Sequence, residues 1–211
     1  MTLLDPIAAE TLREASIPVL ETERLYLRAP RFEDLEQIAM LANERRIAEN
    51  TARIPHPYTL KDAEAFLAGA NRSDRETTFV IARKDGTPIG ACGLELRDGS
   101  GGPGGPGGPG SVPELGLWLG LAYWGNGFAT EAARAVIDHA FADLELEALQ
   151  AGARVTNPAS RRVLEKCGFQ WTGVGLYRIR ALKSSAPVDR FRLERSIWAS
   201  LKSWGASRRV A

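Results

Sequence analysis

The chain has 211 residues, a formal net charge of +1, a hydrophobic content of 44% and a charged content of 25%. This length and composition are typical of a single soluble domain with a sizeable core. The small net charge gives no argument for nucleic acid or an anionic membrane surface as a partner, and no apolar run approaches the ~18 residues of a transmembrane helix.

The first residues and the cysteines indicate the compartment. Residues 1–16 carry acidic side chains without the basic-then-apolar order of a secretory signal, which predicts a flexible lead-in. Cys92 falls in a strand pattern and Cys167 on a predicted helix, and they lack the spacing of metal ligands. We therefore expect reduced core thiols in a cytoplasmic protein that holds no metal.

Strand and helix patterns fill the chain up to residue 96. They predict, in order, a strand at 19–28, helices at 32–50 and 59–70, and strands at 78–83 and 88–96. Thr59 is a candidate N-cap of the second helix. Lys84-Asp85-Gly86-Thr87 lies between the last two strands and is a clear hairpin signal.

A glycine- and proline-rich segment occupies residues 99–110. It holds three Gly-Gly-Pro repeats, which are too few for a collagen triple helix. About a dozen such residues have a reach of roughly 20 Å. We expect a flexible loop that extends a hairpin, rather than a lid or a domain boundary, because the strands on either side belong to one predicted sheet.

The remaining patterns predict a strand at 114–119, a helix at 129–144, a strand at 148–155, a helix after Asn157 and strands at 170–180 and 188–197. Alternation along the first of these strands places Glu114, Gly116 and Trp118 on one face and the leucines between them on the other. His139 lies about 60° outside the apolar stripe of its helix, which predicts a surface or edge position.

The segment Trp124-Gly125-Asn126-Gly127 joins the strand at 114–119 to the helix that follows. A strand, a glycine turn and a helix start place unpaired N–H groups and a positive dipole end together, which suits a phosphate or pyrophosphate. A Walker loop would need a Lys-Ser or Lys-Thr pair, and a dinucleotide fingerprint would need a third glycine where Thr130 stands.

A second segment begins at Asn157 and reads as a short helix with clear ends. Asn157 is a candidate N-cap, Pro158 occupies the first helical position, and Gly168 stands where a terminating glycine belongs. On these residues alone, Asn157 serves as a cap.

Together the two segments resemble the two signatures of the GNAT superfamily of N-acetyltransferases. Trp124-x-x-Gly127-x-Ala129 aligns with the acetyl-CoA loop R/Q-x-x-G-x-G/A, with Trp124 replacing the usual Arg or Gln. The run N-x-A-S-x-x-x-L-E-K-x-G-F from Asn157 is similar to the second signature. The loop sequence and the opening at 22–28 look like the branch of ribosomal-protein N-terminal alanine acetyltransferases.

This resemblance spans residues 17–198, so it implies one acetyltransferase domain there and a tail at 199–211. The implied fold is α+β, with three α/β/α layers and a mixed, mostly antiparallel sheet of seven strands. The implied cosubstrate is acetyl-CoA, and the implied contacts with it are Leu117, Trp118, Leu119, Trp124, Gly125, Asn126, Gly127, Phe128, Ala129, Thr130, Asn157 and Ser160.

Two catalytic candidates follow. The resemblance implies that Ser160 lies near the thioester sulfur, although a polar residue in the first turn of a helix also has a local structural role. Glu114 is the carboxylate best placed to accept a proton from the amine, and the alternative is a solvated glutamate at a strand end. His56 and the charged group Arg45, Arg46, Glu49 and Arg53 border the implied acceptor region, or are ordinary surface residues.

The acceptor is open to alternatives. An α-amine with a pKa of ~8 costs only ~1.4 kcal/mol to neutralise at pH 7, whereas a lysine ε-amine costs ~5 kcal/mol. We therefore favour a protein or peptide α-amine. The alternatives are a small amine (an antibiotic, a polyamine or an amino acid) and a CoA-binding regulatory module without turnover. A monomer and a homodimer are both compatible with the sequence.

Overall fold

An eight-stranded mixed sheet forms the centre of the fold in the computed structural model, which describes residues 17–73, 76–96 and 112–207. The strands are β1 (Leu20–Glu21), β2 (Leu25–Arg28), β3 (Glu76–Arg83), β4 (Pro88–Glu95), β5 (Glu114–Leu119), β6 (Ala148–Arg154), β7 (Gln170–Ile179) and β8 (Ser184–Glu194). Their order in the sheet is β1-β2-β3-β4-β5-β6-β8-β7. β5 and β6 are parallel, and the other neighbouring pairs are antiparallel.

Helices cover both faces of this sheet. They are α1 (Leu35–Ala42), α2 (Arg45–Ala48), α3 (Leu60–Gly69), α4 (Phe128–Ala142), α5 (Pro158–Lys166) and α6 (Arg195–Ser207), with 3₁₀ turns at Phe32–Asp34 and Leu121–Tyr123. No helix among the described residues is long and apolar enough to cross a membrane.

Two hydrophobic clusters hold the layers together. On one face, α1 and α3 pack against Val80 and Trp118. On the other face, α4 packs against Phe79, Ile81 and Leu115. Neighbouring residues of a strand point to opposite faces, so β3 and β5 contribute to both clusters. The three-layer α+β architecture is confirmed.

Several local predictions match the structure. β5 has the predicted bounds, and Thr59 caps α3 in a reciprocal pair with Asp62. Cys92 and Cys167 are free and buried, as expected, and burial raises the pKa of Cys167 to about 11. The predicted lead-in at 1–16 and loop at 99–110 lie outside the described residues.

The eighth strand comes from the first predicted one. Residues 19–28 form two short strands, β1 and β2, which fold onto each other so that Leu20 pairs with Leu27. The N–H of Thr22 donates to the carbonyl of Leu25 at 3.0 Å and closes the turn. The predicted helix at 32–50 is likewise interrupted, because the Asn43 side chain accepts the N–H of Tyr58 at 2.9 Å.

Two further predictions were wrong. The last strand ends at Glu194 instead of continuing to residue 197, and α6 follows it directly. Trp198 explains the change, because its ring packs 5.4 Å from Phe141 and its indole N–H donates to Asp138. His139 is buried rather than exposed, since it packs edge-on against Phe79 across the helix–sheet interface.

Candidate active site

The parallel pair β5 and β6 separates before either strand ends. Their pairing joins Glu114 to Gln150 and Leu115 to Ala151. β5 nevertheless continues to Leu119 along β4, and β6 continues to Arg154 along β8. The carboxyl ends of the two strands therefore border a gap, and ligands of open sheets bind at such a position.

The glycine turn and the start of α4 lie beyond the end of β5. Gly127 is the N-cap of α4 with φ of 81°, and no side chain caps this end. The first intrahelical bond runs from the N–H of Glu131 to the carbonyl of Gly127. The N–H groups of residues 128–130 consequently lack intrahelical acceptors and, together with the helix dipole, suit an anion. Gly125 is exposed, and a Cβ built there would meet no heavy atom within 4 Å, so the loop has room for a pyrophosphate.

Arg24 and Glu131 form a charged clamp that holds this loop. Nε of Arg24 donates to Oε2 of Glu131 at 2.7 Å, and Nη1 of Arg24 donates to the carbonyl of Asn126 at 2.9 Å. The hydroxyl of Thr22 donates to Oε1 of Glu131 at 2.7 Å. The sequence showed the opening at 22–28 only as part of the family resemblance, and no local pattern indicates the clamp.

A Glu131→Gln variant should lower the free energy of unfolding by ~1–2 kcal/mol near neutral pH, because charge-assisted hydrogen bonds are lost. Burial raises the pKa of Glu131, but hydrogen bonds from Thr22 and Arg24 outweigh it and hold that pKa below its ordinary value. The stabilisation is therefore present above the ordinary glutamate pKa and is lost as the pH falls through the lowered one.

Urea unfolding at several pH values measures this effect. The difference between wild type and Glu131→Gln should narrow below about pH 4. Glu165→Gln is the matched control, since Glu165 forms an exposed i,i+4 pair with Arg161 and should contribute at most ~0.5 kcal/mol. A difference that stays constant with pH would contradict the charged clamp.

Trp124 fastens the loop to β5. Its indole N–H donates to the carbonyl of Leu119 at 2.8 Å, while 41% of the residue is exposed. Trp118 and Leu119 point their side chains into the core, so β5 offers a ligand mainly its backbone groups. Each of the predicted cofactor contacts on β5 and the loop thus lies beside the gap or at the start of α4.

Asn157 and Ser160 lie at the start of α5, beyond the end of β6. Oδ1 of Asn157 accepts the N–H of Ser160 at 3.2 Å, which confirms the predicted cap. Both residues are partly exposed. The two sequence signatures therefore lie at the same edge of the sheet, on the two sides of the gap between β5 and β6.

We predict that the amide group of Asn157 also binds acetyl-CoA. Asn157→Asp retains the capping oxygen and removes the amide donor, so the two roles separate. We expect acetyl-CoA affinity to fall by about 3- to 10-fold at an unchanged melting temperature, as measured by calorimetry and thermal unfolding. A lower melting temperature with normal affinity would leave only the cap.

Glu114 is buried next to the gap. It is 8% exposed, which rules out the alternative of a solvated strand-end carboxylate. A Cβ built on Gly152 of β6 would lie 3.9 Å from Oε1 of Glu114 and 3.5 Å from Cε2 of Tyr177. The carboxylate and the phenol ring therefore both lie next to Gly152. No sequence pattern places Tyr177 here, because β7 reaches this place only across β8.

The loop that follows α2 lies against the carboxyl end of β6 and the turn between β7 and β8. Nη1 of Arg154 donates to the carbonyl of Glu49 at 2.9 Å. The backbone N–H of Arg180 donates to the carbonyl of Ala52 at 3.1 Å. These contacts bring one wall of the predicted acceptor region next to the gap.

The charged group predicted for this region separates into different contacts. Arg45 pairs with Glu49 along α2, and Arg53 pairs with Glu95. Arg46 lies 5.9 Å from the ring of Trp124. His56 is partly buried, and its Nδ1 is buried without a hydrogen-bond partner among the described residues.

These features define a class. An anion site at a helix start, a gap between parallel strands and a buried carboxylate beside it suit a transferase that takes an acyl group from a nucleotide-linked carrier. The family model described as an acetyltransferase (GNAT) domain matches residues 24–170. The chain belongs to the GNAT acetyltransferase family, and it is an N-acetyltransferase.

Similarity to individual proteins agrees with this assignment. The uncharacterized N-acetyltransferase YoaA of Bacillus subtilis is 30% identical over 163 residues, which cover 74% of this chain and 85% of YoaA. The uncharacterized N-acetyltransferase p20 of Bacillus licheniformis is 27% identical over 158 residues, covering 74% and 84%.

Two solved structures from Vibrio cholerae share the fold. The spermidine N-acetyltransferase in complex with CoA and spermine has a TM-score of 0.67 and 23% identity, covering 84% of this chain and 99% of that one. A protein assigned as a ribosomal-protein-serine acetyltransferase has a TM-score of 0.66 and 19% identity, covering 84% and 97%. At these identities the likeness shows the fold alone.

Proposed function

We propose that this protein transfers the acetyl group of acetyl-CoA to the α-amine of a protein or peptide. The observation that carries the proposal is the buried carboxylate of Glu114 beside the gap between β5 and β6. An α-amine needs only a modest base near neutral pH, whereas a lysine ε-amine costs ~5 kcal/mol to neutralise. One buried carboxylate is enough for the first and a weak arrangement for the second.

The chain's groups divide the work of binding. The start of α4, with Gly125 and Gly127, receives the pyrophosphate of acetyl-CoA. The gap between β5 and β6 receives the pantetheine arm, and Asn157 donates to it from the opposite side. Backbone N–H groups of β5 at Leu117 and Leu119 stabilise the oxyanion of the tetrahedral intermediate.

Two side chains act on the reacting atoms. Glu114 accepts a proton from the ammonium of the acceptor, directly or through water, and the free amine then attacks the thioester carbonyl. The C–N bond forms and the C–S bond breaks. Ser160 donates a hydrogen bond to the departing sulfur, which stabilises the thiolate. The second proton that the nitrogen loses as it becomes an amide passes through water to this thiolate and completes CoA.

The second candidate acceptor is a small amine. The spermidine N-acetyltransferase with the same fold is the observation that supports it. The site residues described above would act in the same way, and only the acceptor side would differ. A cytoplasmic location fits both candidates, because acetyl-CoA is available there.

A turnover screen tests the proposal. Purified protein with acetyl-CoA is offered short peptides with free N-termini, the same peptides with blocked N-termini and one lysine, and small amines that include spermidine. Release of CoA and the mass of the product are measured. We expect turnover of peptides with free N-termini. Turnover of small amines alone would replace the α-amine proposal with the second candidate.

A further inference from the structure

Arg154 lies on the same face of the sheet as Glu114. Glu114 pairs with Gln150, and residues 150, 152 and 154 of β6 point to one side because strand side chains alternate. Gly152 lies between the two charged residues and carries no side chain. The Glu114 and Arg154 side chains therefore leave the sheet on the same face, on the two sides of Gly152, where Val188 and Tyr177 pack.

The guanidinium of Arg154 is incompletely satisfied. Its Nη1 donates to the carbonyl of Glu49, whereas its Nε is buried and has no hydrogen-bond partner among the described residues. A buried N–H donor without an acceptor is costly, and such groups in proteins are normally paired. The Glu49 carboxylate is engaged by Arg45, and Glu49 offers Arg154 only its backbone carbonyl.

Neighbouring charges reinforce the positive character of this end of the face. Arg190 extends along β7, with its Nε 3.5 Å from a Cβ built on Gly175. Arg180 reaches the loop after α2, where its Nη1 donates to the carbonyl of Arg53 at 3.3 Å. Arg192, two residues after Arg190 along β8 and opposite Gln150, is paired with Glu194. The carboxylate of Glu114 thus lies next to Gly152 on a face that also carries several arginines.

We infer that Arg154 binds a carboxylate that the acceptor carries next to its amine. This inference rests on the proposed function and adds a property of the substrate. A guanidinium fork matches a carboxylate, and Glu114 attracts the neighbouring ammonium. The carboxylate belongs either to the side chain of an acidic first residue of a peptide or to a free amino acid. A polycation would instead meet Arg154 and Arg190 with like charge.

The test compares matched acceptors. Two peptides that carry either Asp or Asn as the first residue differ by one carboxylate. Glutamate and glutamate α-amide make the same comparison for a free amino acid. For wild type we expect kcat/KM to favour the carboxylate member of at least one pair by about 10- to 100-fold. Which pair shows the preference identifies the source of the carboxylate.

Variants connect this preference to Arg154. Arg154→Gln should remove the preference by lowering turnover of the carboxylate member and leaving the amide member within about 3-fold. Arg154→Lys should restore part of it, since the charge returns without the fork. Arg192→Gln is the matched control and should retain the full preference. An equal loss for both members, or no preference in wild type, would overturn the inference.

A binding measurement separates this inference from the proposed function. Calorimetry of the same acceptors against the CoA complex does not require turnover. If no acceptor is acetylated, the proposed function fails, and carboxylate-dependent binding that Arg154→Gln abolishes would still support the anion site. Equal binding of the two members, or no binding of either, would overturn it.

Discussion

Glu114→Gln should reduce kcat by roughly 10²–10⁴ near neutral pH and leave acetyl-CoA affinity intact. Glutamine has nearly the same shape but cannot accept the proton of the ammonium group. Because the amine must then lose its proton without help, the deficit should shrink as the pH rises toward the pKa of the amine. Steady-state rates between about pH 6 and pH 9.5 measure this dependence.

Glu95→Gln is the matched control for this variant. Glu95 pairs with Glu114 across β4 and β5, and its carboxylate forms an ion pair with Arg53. We expect its kcat to remain within a few-fold of wild type. A flat loss of a few-fold in Glu114→Gln at every pH would contradict a role in proton transfer and would mark Glu114 as a positioning residue. His56 and solvent chains would then become the candidates for the base.

Gly127→Val should weaken acetyl-CoA binding by about 100-fold, or ~2.7 kcal/mol. Gly127 has φ of 81°, a conformation that valine adopts only with strain. It is the N-cap residue of α4, and no side chain caps the first N–H groups of this helix. A side chain there would also occupy the place where phosphate oxygens approach the backbone. Calorimetry with acetyl-CoA measures the change.

The effect of backbone strain must be separated from the effect of losing the pyrophosphate site. Gly86→Val provides the control, because Gly86 has φ of 88° in the turn between β3 and β4 and a Cβ there would meet no atom within 4 Å. Both variants should lose similar stability, and only Gly127→Val should lose affinity. A folded Gly127→Val protein that binds acetyl-CoA normally would show that the pyrophosphate lies elsewhere.

Local patterns predicted the segments whose structure depends on near neighbours. The bounds of β5, the cap at Thr59 and the cap at Asn157 follow from alternation and from side chains three residues apart. The same alternation predicts that Glu114 and Trp118 face one side of the sheet. The three-layer fold and the residues expected to contact acetyl-CoA came from the family resemblance.

Contacts between distant segments could not be read from the sequence. Arg24 and Glu131 are 107 residues apart, and Tyr177 reaches Gly152 only because β8 lies between β6 and β7. The position of His139 and the end of the last strand were misjudged for the same reason, since they depend on the packing of His139 against Phe79 and of Trp198 against Phe141. Periodicity predicts which face of a helix is buried. It does not predict which residues of other elements pack against the edge of that face.

Transfer of one acetyl group from acetyl-CoA to a peptide N-terminus is the measurement that tests the central claim most directly. Mass spectrometry of the acceptor after incubation with the enzyme gives the number and position of the acetyl groups. The account predicts one acetyl group on the α-amine, dependent on acetyl-CoA and strongly reduced in Glu114→Gln near neutral pH. Tight binding of acetyl-CoA without acetylation of any amine would contradict the account and would indicate a CoA-binding module.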